Sequence, residues 1–438
     1  MESTVDLASC QTRLDAVLIQ QLQDPGLFVI SPAERRILRR LAGQVAELAA
    51  RPIEDEKRKL WYAHNALQPT RPLIFCDPEN GWNEIVNPDR LDCDGVLGRW
   101  WEMRLRKEIF WGTQMGDDYT IVPCFDTPHV HSGGLEDWGL REKVIGGDHG
   151  GAYVWESPVR SGEDLQKLRM PHIQVDYAAT QRLAELAAKT LTGLLTVRVK
   201  TNWWWTLGMT MKLAHLRGLQ QIMLDLTDNP DLIHALMAIL RDGTMQLLDQ
   251  LESEGLLGLN NDGTYVGSGG LGWCNELPQP DYDPAKNVRA RDMWGFAESQ
   301  ETVGISPAMF AEFVFPYQLP LLERFGLNCY GCCEPLDRRW HVVKNIPRLR
   351  RVSVSAWANL DKMAEQLGDR YVFSWKPSPT DLAMPFDEER IRAQLREAFR
   401  ITRSCRVEAI MKDNNTIGGD PSRVINWCRV AREEAERV

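Results

Sequence analysis

Short apolar runs that end in polar or sulfur-containing side chains recur along the second half of the chain. Five of them read LGLNNDG (257–263), GFAESQE (295–301), LNCYGCCEPLD (327–337), FSWKPSP (373–379) and AIMKDNN (409–415). An apolar run of about four to six residues followed by a long helical pattern is typical of a buried parallel strand and its crossover helix. Because such strands end at one edge of a sheet or barrel, we expect these polar groups to meet on one face.

The alternation of strand and helix patterns becomes regular from about residue 190. Nine apolar runs predict strands: RPLIFC (71–76), DYTIVPCFD (118–126), LLTVRVKTN (194–202), LGLNND (257–262), DMWGFAES (292–299), LNCYG (327–331), RVSVSAW (351–357), YVFSWK (371–376) and VEAIMK (407–412). Repeated alternation predicts an α/β fold of the (β/α)8 TIM-barrel type, with a doubly wound open sheet as the rival. One of the nine runs must then lie outside the barrel.

The N-terminal segment has a different pattern. Ser31-Pro32-Ala33-Glu34 has the order of an N-cap, a proline at the first helical position and an early acid, and it precedes the amphipathic run ERRILRRLAGQVAELAA. We therefore predict a helical extension over residues 1–70 and a barrel over 71–438. Residues 127–165 and 263–290 lack helical period and are predicted to be loop excursions.

Composition narrows the class of partner. The 438 residues are 43% hydrophobic, with a formal charge of -10 and a pI near 5.5, which argues against nucleic acid or an anionic membrane. Apolar runs stay shorter than a membrane span, and MESTVDLASCQTRLD lacks the regions of a secretory signal. We expect a cytoplasmic protein that binds a small molecule or another protein. Assembly as a homodimer is compatible with the sequence.

The segment NCYGCCEPLD carries the sharpest chemical signal. Thiolates are ligands for zinc, and catalytic zinc takes three protein ligands and leaves one position open. Cys332 and Cys333 can bind one ion only if the backbone turns, which Gly331 allows. Glu298, at the end of another strand, is a candidate third ligand or a general acid/base. The alternative is that the cysteines are buried structural thiols.

Other strand ends offer further candidates. Candidate catalytic residues besides Glu298 are Asp262, Lys376, Lys412 and Asp413. A turn at Asn-Asp-Gly and an ion pair at the barrel rim would explain the same residues structurally. Candidate substrate-binding residues, mostly aromatic side chains suited to stacking on an apolar ligand, are Asn261, Trp203, Trp205, Tyr330, Trp357 and Trp375.

A second, weaker metal hypothesis rests on histidines. His129 and His131 have the spacing of a chelate on a strand, and Asp148-His149 follows them. An isolated pair of this kind is common in loops without metal. The chain has no P-loop, no GxGxxG after a strand and no GxSxG, which excludes the simplest nucleotide-binding and serine-hydrolase assignments.

One family resemblance emerges from these motifs. The stretch WGFAESQETVGISPAMFAEFVFPYQLPLLERFGLNCYGCCEPLD, followed by RRVSVSAW, YVFSWKPSP and IMKDNNTIGGDPSRVINW, resembles the uroporphyrinogen decarboxylase superfamily. It is most similar to the decarboxylase-like branch related to cobamide-dependent methyltransferases. The resemblance covers residues 190–438 well and extends more weakly to residue 31. It implies a (β/α)8 barrel with its site at the carboxyl ends of the strands.

The departures from the family matter for function. True uroporphyrinogen decarboxylases grip their substrate with an arginine-rich motif, whereas the first strand here reads RPLIFCDPENGW. The zinc-binding HxC of the methyltransferase relatives is matched by Asn328 and Tyr330, and their last cysteine ligand by the region of Lys412 and Asp413. Zinc would therefore require a different ligand set, Cys332 or Cys333 with Glu298.

The resemblance and the strand-end groups together favour one activity. We expect a methyltransferase, not a true uroporphyrinogen decarboxylase, that moves a methyl group from a small methylated donor to a corrinoid-binding partner protein with the help of zinc. The donor would be a methoxylated aromatic or a methylamine-like compound. The alternatives are a metal-independent lyase or decarboxylase of a small acid, and a non-enzymatic corrinoid- or ligand-binding protein.

Overall fold

The computed structural model describes residues 24–146 and 153–438. The strands are β1 (Leu73–Cys76), β2 (Cys124–Thr127), β3 (His131–Gly133), β4 (Lys143–Gly146), β5 (Tyr153–Glu156), β6 (Ile173–Val175), β7 (Thr196–Val199), β8 (Tyr265–Val266), β9 (Gly270–Leu271), β10 (Trp294–Ala297), β11 (Leu327–Tyr330), β12 (Leu349–Val354), β13 (Val372–Trp375) and β14 (Arg406–Met411).

Helices alternate with these strands along most of the chain. The α-helices are α1 (Pro32–Ala49), α2 (Pro52–Asn65), α3 (Trp82–Ile85), α4 (Val96–Phe110), α5 (Tyr177–Leu191), α6 (Thr210–Arg217), α7 (Leu219–Asp228), α8 (Pro230–Ser253), α9 (Pro307–Phe313), α10 (Phe315–Leu322), α11 (Trp340–Val343), α12 (Leu360–Leu367), α13 (Thr380–Ala383), α14 (Glu388–Ile401) and α15 (Ser422–Ala435). A π-helical turn, Trp111–Met115, follows α4.

Six strands form one parallel sheet in the order β1-β14-β13-β12-β11-β10, and β2 pairs in parallel with β7. These eight strands coincide with eight of the nine predicted runs within the described residues. The fold is therefore α/β with the predicted parallel strands. The run LGLNND (257–262) was predicted to be a strand and forms none, because the side-chain amide of Asn260 bonds the backbone N and O of Trp294 at 2.9 and 3.0 Å in place of a backbone ladder.

The sheet has two chemically different faces because side chains alternate along each strand. Val352, Phe373 and Ala409 belong to the large apolar core that includes the covering helices. Arg351 and Glu408 face the other way and bond each other at 2.8 Å. We call that second face the inner face; it carries the charged and polar groups toward the strand ends.

The N-terminal segment is helical where the structure describes it. The Ser31 hydroxyl accepts a hydrogen bond from Glu34 N at 3.2 Å, and Glu34 accepts one from Ser31 N at 2.8 Å, so the predicted helix start is confirmed. Leu38 of α1 shares a second apolar core with Trp101 of α4 and Leu183 of α5. No helix in the ranges 24–146 and 153–438 is long and apolar enough to cross a membrane.

The two excursions differ in their relation to the sheet. Residues 127–165 contain β3, which pairs with β6, and the β4–β5 hairpin. The β8–β9 hairpin of residues 263–290 instead packs on the inner face of the sheet. A Cβ atom on Gly270 would lie 2.3 Å from the guanidinium carbon of Arg351, and one on Gly267 would lie 2.8 Å from Cβ of Cys329. Glycine at these positions lets the hairpin approach the strands closely.

Candidate active site

The carboxyl ends of four strands bring titratable side chains to the inner face. Glu298 follows β10 and Cys332 follows β11, while Lys376 and Lys412 follow β13 and β14. Lys376 lies two residues after Ser374, whose hydroxyl contacts the inner-face carboxylate of Glu408, so the alternation directs it to the same face. We call these residues, with their direct partners, the strand-end cluster.

A tight turn after β11 places the two adjacent thiols side by side. Gly331 has φ +92°, a conformation that favours glycine, and the Sγ atoms of Cys332 and Cys333 lie 3.7 Å apart. Cys333 Sγ donates to Asp413 Oδ2 at 3.6 Å, and Ser268 Oγ donates to Cys332 Sγ at 3.2 Å. The turn predicted at Gly331 is confirmed, and Cys332 becomes the centre of the cluster.

The thiols have different acidities. The hydrogen bond with Cys333 lowers the pKa of Cys332, and the nearby Lys412 ammonium lowers it further, against the opposing effect of burial. The same hydrogen bond, together with burial, raises the pKa of Cys333. Cys332 is therefore the more acidic thiol of the pair and the one that ionises more readily.

Lys412, which follows β14, forms ion pairs with Asp413 and with Glu79, which follows β1. Its Nζ lies 2.7 Å from Asp413 Oδ1 and 3.2 Å from Glu79 Oε1. Glu79 and Asp413 have φ +51° and +61°, unusual values for residues other than glycine. Strained backbone of this kind costs on the order of 1–3 kcal/mol and concentrates at functional sites. Burial, together with repulsion from Asp413 and Asp77, raises the pKa of Glu79 to about 7.

Glu298 is a buried acid surrounded by other carboxyl groups. Its Oε2 accepts a hydrogen bond from Gln300 N at 2.9 Å, and its Oε1 lies 3.5 Å from Thr206 Oγ1. Burial raises its pKa well above the usual range, and repulsion from Glu301 and Glu334 adds to this effect. Burial and the neighbouring carboxyl groups therefore favour the protonated form of Glu298, which is the form of a general acid.

Glu334 ties Glu298 to the thiol pair. Its Oε1 accepts a hydrogen bond from Ser299 N at 2.8 Å, and its Oε2 accepts one from Cys332 N at 2.9 Å. Ser299 directly follows Glu298 in the chain. One carboxylate thus fixes the ends of β10 and β11 relative to each other, and the two functional groups with them.

Lys376 is the most isolated cation of the cluster. Its Nζ donates to Ser374 Oγ at 2.5 Å and to Ser374 O at 3.1 Å. Burial lowers its pKa to about 8. The inner-face carboxylate of Glu408, which acts on Lys376 electrostatically, is already bonded by Arg351 and lies 3.1 Å from His64 Nε2. Lys376 therefore titrates close to physiological pH.

Two of the predicted site residues, Asp262 and Asn261, form hydrogen bonds with residues outside the strand-end cluster. Asp262 accepts hydrogen bonds from Arg198 at 3.1 Å and from Lys200 at 3.1 Å, beside the β2–β7 pair. Asn261 Nδ2 donates to Leu277 O at 2.6 Å. Their polar atoms are engaged in a structural network, as the turn and ion-pair alternative anticipated.

The predicted aromatic residues divide between the two faces. Tyr330 is buried with its hydroxyl on Gln318 Oε1 at 2.7 Å, and Trp375 packs on Phe399, so both point toward the helices. They do not line the strand ends, because alternation puts them opposite Cys329 and Lys376. The other three predicted aromatic residues do not share this orientation. Trp203 lies beside His129 and His131, Trp205 packs against Phe296, and Trp357 is 80% exposed.

The predicted zinc ligands come together only in part: the Sγ atoms of Cys332 and Cys333 lie 3.7 Å apart, whereas Glu298 Oε2 accepts a hydrogen bond from Gln300 N. Within residues 24–146 and 153–438, no group of three or more His, Cys, Asp or Glu side chains is arranged to hold a metal ion. Glu298 faces Thr206 and Gln300, and the Lys412 ammonium already supplies the positive charge next to Asp413 and Cys332. The residues as placed therefore do not fit zinc. Asp148 and His149, of the second metal hypothesis, lie outside the described residues.

Three members of the cluster were missed by the sequence reasoning. Ser268 comes from the hairpin of an excursion, Glu79 from the short turn after β1, and Glu334 from the turn after the cysteines. The glycine pattern GSGGLG around Ser268 was the available signal, since closely spaced glycines in a hairpin indicate close backbone approach. Nothing in the sequence indicated what the hairpin approaches.

No protein-family model and no curated protein matches the chain. Among 22 matching chains of solved structures is a methyltransferase from Methanosarcina mazei, with a TM-score of 0.48 and 12% sequence identity over 86% of this chain and 97% of that one. The function must therefore be inferred from the side chains of the site.

Proposed function

We propose that this protein is a methyltransferase that moves a methyl group from a methoxylated aromatic donor to a corrinoid carried by a separate protein. The observation that carries the proposal is Glu298, a fully buried carboxyl group at the strand ends whose surroundings favour its protonated form. The sequence resemblance to relatives of cobamide-dependent methyltransferases supports the same reaction class. The proposal includes closure of the parallel strands into a (β/α)8 barrel, with the strand-end cluster at its mouth.

Cleavage of an aryl methyl ether needs a proton at the oxygen. The corrinoid of the partner would supply the nucleophile that accepts the methyl group. As the bond from the methyl carbon to oxygen breaks, its electron pair stays on the oxygen, and Glu298 donates its proton there to give a neutral phenol. General acid catalysis of this kind contributes about 100-fold to 10,000-fold in rate.

A protonated Glu298 would assist O-methyl donors more than N-methyl donors. A protonated methylamine already carries its proton on the leaving nitrogen, so an uncharged acid offers it no advantage. An ether oxygen is neutral and leaves poorly unless it is protonated. Glu298 therefore favours O-methyl over N-methyl donors.

The neighbours of Glu298 hold it in the donor state. Glu301, Glu334 and Cys332 each raise its pKa by electrostatic repulsion after the larger effect of burial. Glu334 also fixes the turn that carries Cys332. These groups are positioning residues, and no step of the proposed reaction passes through zinc.

The direct test is methyl transfer to cob(I)alamin with a panel of O-methyl and N-methyl donors. We expect transfer from methoxylated aromatics, and a loss of about 100-fold or more in Glu298→Gln, which keeps the shape but cannot transfer the proton. Glu312→Gln, an exposed change on α9, is the matched control. Absence of transfer from every O-methyl donor would contradict the proposal.

A second candidate function is favoured by Lys376. A buried ammonium with a pKa near 8, to which no carboxylate of the described residues is bonded, also suits a lyase or decarboxylase of a small acid. The two functions differ in their need for a corrinoid. Release of carbon dioxide from a small acid in corrinoid-free buffer would select the lyase.

A further inference from the structure

We infer that Lys376 and Ser355 form a carboxylate-binding subsite, so that the methylated donor carries a carboxylate on its aromatic ring. The inference rests on the proposed function for the identity of the donor, and on the structure alone for the subsite. It makes Lys376 a specificity-determining residue and defines the substrate class as methoxylated aromatic acids.

The first observation is a buried cation without an anion. Lys376 is 5% exposed, and its Nζ bonds only oxygens of Ser374 among the residues that the structure describes. The other cations nearby are paired: Lys412 with Glu79 and Asp413, and Arg351 with Glu408. An unpaired buried ammonium is costly to folding, which indicates a function that retains it.

The second observation is a buried hydroxyl without a partner. Ser355 is 2% exposed, and its Oγ makes no hydrogen bond within the described ranges. Most buried hydroxyl groups in proteins are bonded, so an orphaned one marks a place where a ligand or water completes the structure. Ser355 and Lys376 can therefore each donate a further hydrogen bond to a ligand.

The two residues are neighbours on adjacent strands. Val354 of β12 pairs with Trp375 of β13, and Lys376 N donates to Val354 O at 2.8 Å, so Ser355 and Lys376 each follow this pair by one residue. Ser353 also pairs with Ser374 across the same two strands. The alternation places both side chains on the inner face, where one ligand can reach them together.

Charge decides the class of ligand. The groups that influence Lys376 are Glu408, which favours its charged form, Lys412 and Arg351, which oppose it, and Cys332, which favours it. Glu408 is shared by Arg351, His64 and Ser374 and is not free to neutralise Lys376. One ammonium and one hydroxyl match the single charge and two oxygens of a carboxylate, whereas a phosphate dianion would require more positive charge.

Equilibrium binding tests the subsite without any turnover. Isothermal titration calorimetry of the full chain should show that 4-methoxybenzoate binds and that 4-methoxybenzyl alcohol binds at least about 30-fold more weakly. Lys376→Met should weaken the binding of 4-methoxybenzoate by a similar factor and leave the affinity for the alcohol unchanged. Lys376→Arg should retain part of the affinity for 4-methoxybenzoate. Ser355→Ala should lower the affinity for 4-methoxybenzoate about fivefold.

A matched control and a folding check keep the result interpretable. Lys362→Met, an exposed change on α12, should leave both affinities unchanged. Lys376→Met should not lower the thermal midpoint, since it removes a buried unpaired charge. Because the ligand needs a protonated Lys376, whose pKa lies near 8, binding of 4-methoxybenzoate should weaken as the pH rises above about 8 in the wild type but not in Lys376→Met.

The outcomes separate this inference from the proposed function. Equal affinity of the acid and the alcohol, or equal weakening of both by Lys376→Met, would overturn the subsite even if methyl transfer from neutral donors is observed. Binding of 4-methoxybenzoate that depends on Lys376, without methyl transfer from any donor, would establish the subsite and overturn the methyltransferase. Equal competition by benzoate and chloride at the same concentration would show a general anion site and overturn the assignment to carboxylates.

Discussion

Ser268 Oγ donates a hydrogen bond to Cys332 Sγ over 3.2 Å, although 64 residues separate them in the chain. The hydroxyl comes from the turn of the β8–β9 hairpin and the thiol from the turn after β11. The hairpin therefore takes part in the strand-end cluster as well as covering the inner face. Through this contact the thiol has a hydrogen-bond donor from a segment outside the regular sheet.

Removing the hydroxyl should make Cys332 less acidic. In Ser268→Ala the thiolate loses a donor, so we expect the pKa of Cys332 to rise and its alkylation by iodoacetamide at pH 7 to slow. The rate measured against pH would report the shift directly. Ser253→Ala, an exposed change at the end of α8, should have no effect. An unchanged pH profile in Ser268→Ala would mean that the hydroxyl does not stabilise the thiolate.

The close approach of the hairpin makes a prediction about stability. Gly270→Ala would place a methyl group 2.3 Å from the guanidinium carbon of Arg351, which is itself held by Glu408. Overpacking of this kind costs about 1–3 kcal/mol, so the free energy of unfolding in urea should fall by that amount. Gly162→Ala, where a Cβ would meet nothing within 4 Å, is the matched control and should leave stability nearly unchanged.

The sequence predicted the scaffold better than the site because strands are encoded locally. Runs such as VEAIMK carry both the apolar pattern of β14 and the polar residue that follows it, so Lys412 could be placed from the sequence alone. The run LGLNND failed because the side chain of Asn260 replaces a backbone ladder, and hydropathy does not distinguish the two.

The site depends on contacts between distant segments, which periodicity does not encode. Cys332, Asp413 and Lys412 lie at predicted strand ends, but Ser268 and Glu79 reach them from a hairpin and a turn. The face of the sheet on which a side chain lies was not predicted either. Tyr330 stands only two residues before Cys332, but its hydroxyl bonds Gln318 on the helix side of the sheet. Position at a strand end was predictable, and the partners found there were not.

A partly buried acid away from the cluster should control the pH dependence of stability. Glu108 accepts a hydrogen bond from the Tyr119 hydroxyl at 2.8 Å, and burial raises its pKa to about 7. A raised pKa means that the native state binds more protons than the unfolded state between about pH 4.3 and 7, so stability falls as the pH rises through that window.

Glu108→Gln removes this titration and keeps an acceptor for Tyr119. The free energy of unfolding of the variant relative to wild type should therefore rise between about pH 4.3 and 7 and then level off, by at most about 4 kcal/mol. Urea titrations at several pH values would measure it. Glu47→Gln, on the exposed side of α1, should run parallel to wild type. A difference independent of pH would contradict the assigned titration.

The last prediction concerns metal content. Zinc needs three protein ligands at a catalytic site, and here Glu298 Oε2 already accepts a hydrogen bond from Gln300 N while the ammonium of Lys412 pairs with Asp413. We therefore expect protein purified without chelators to contain less than about a tenth of an equivalent of zinc, and Cys332→Ala to leave that content unchanged. Elemental analysis of both proteins, with cobalt and iron measured alongside, gives the answer. A full equivalent of zinc that disappears in Cys332→Ala would show that the thiols and a carboxylate rearrange around the ion, and the acid role assigned to Glu298 would then have to give way to zinc ligation.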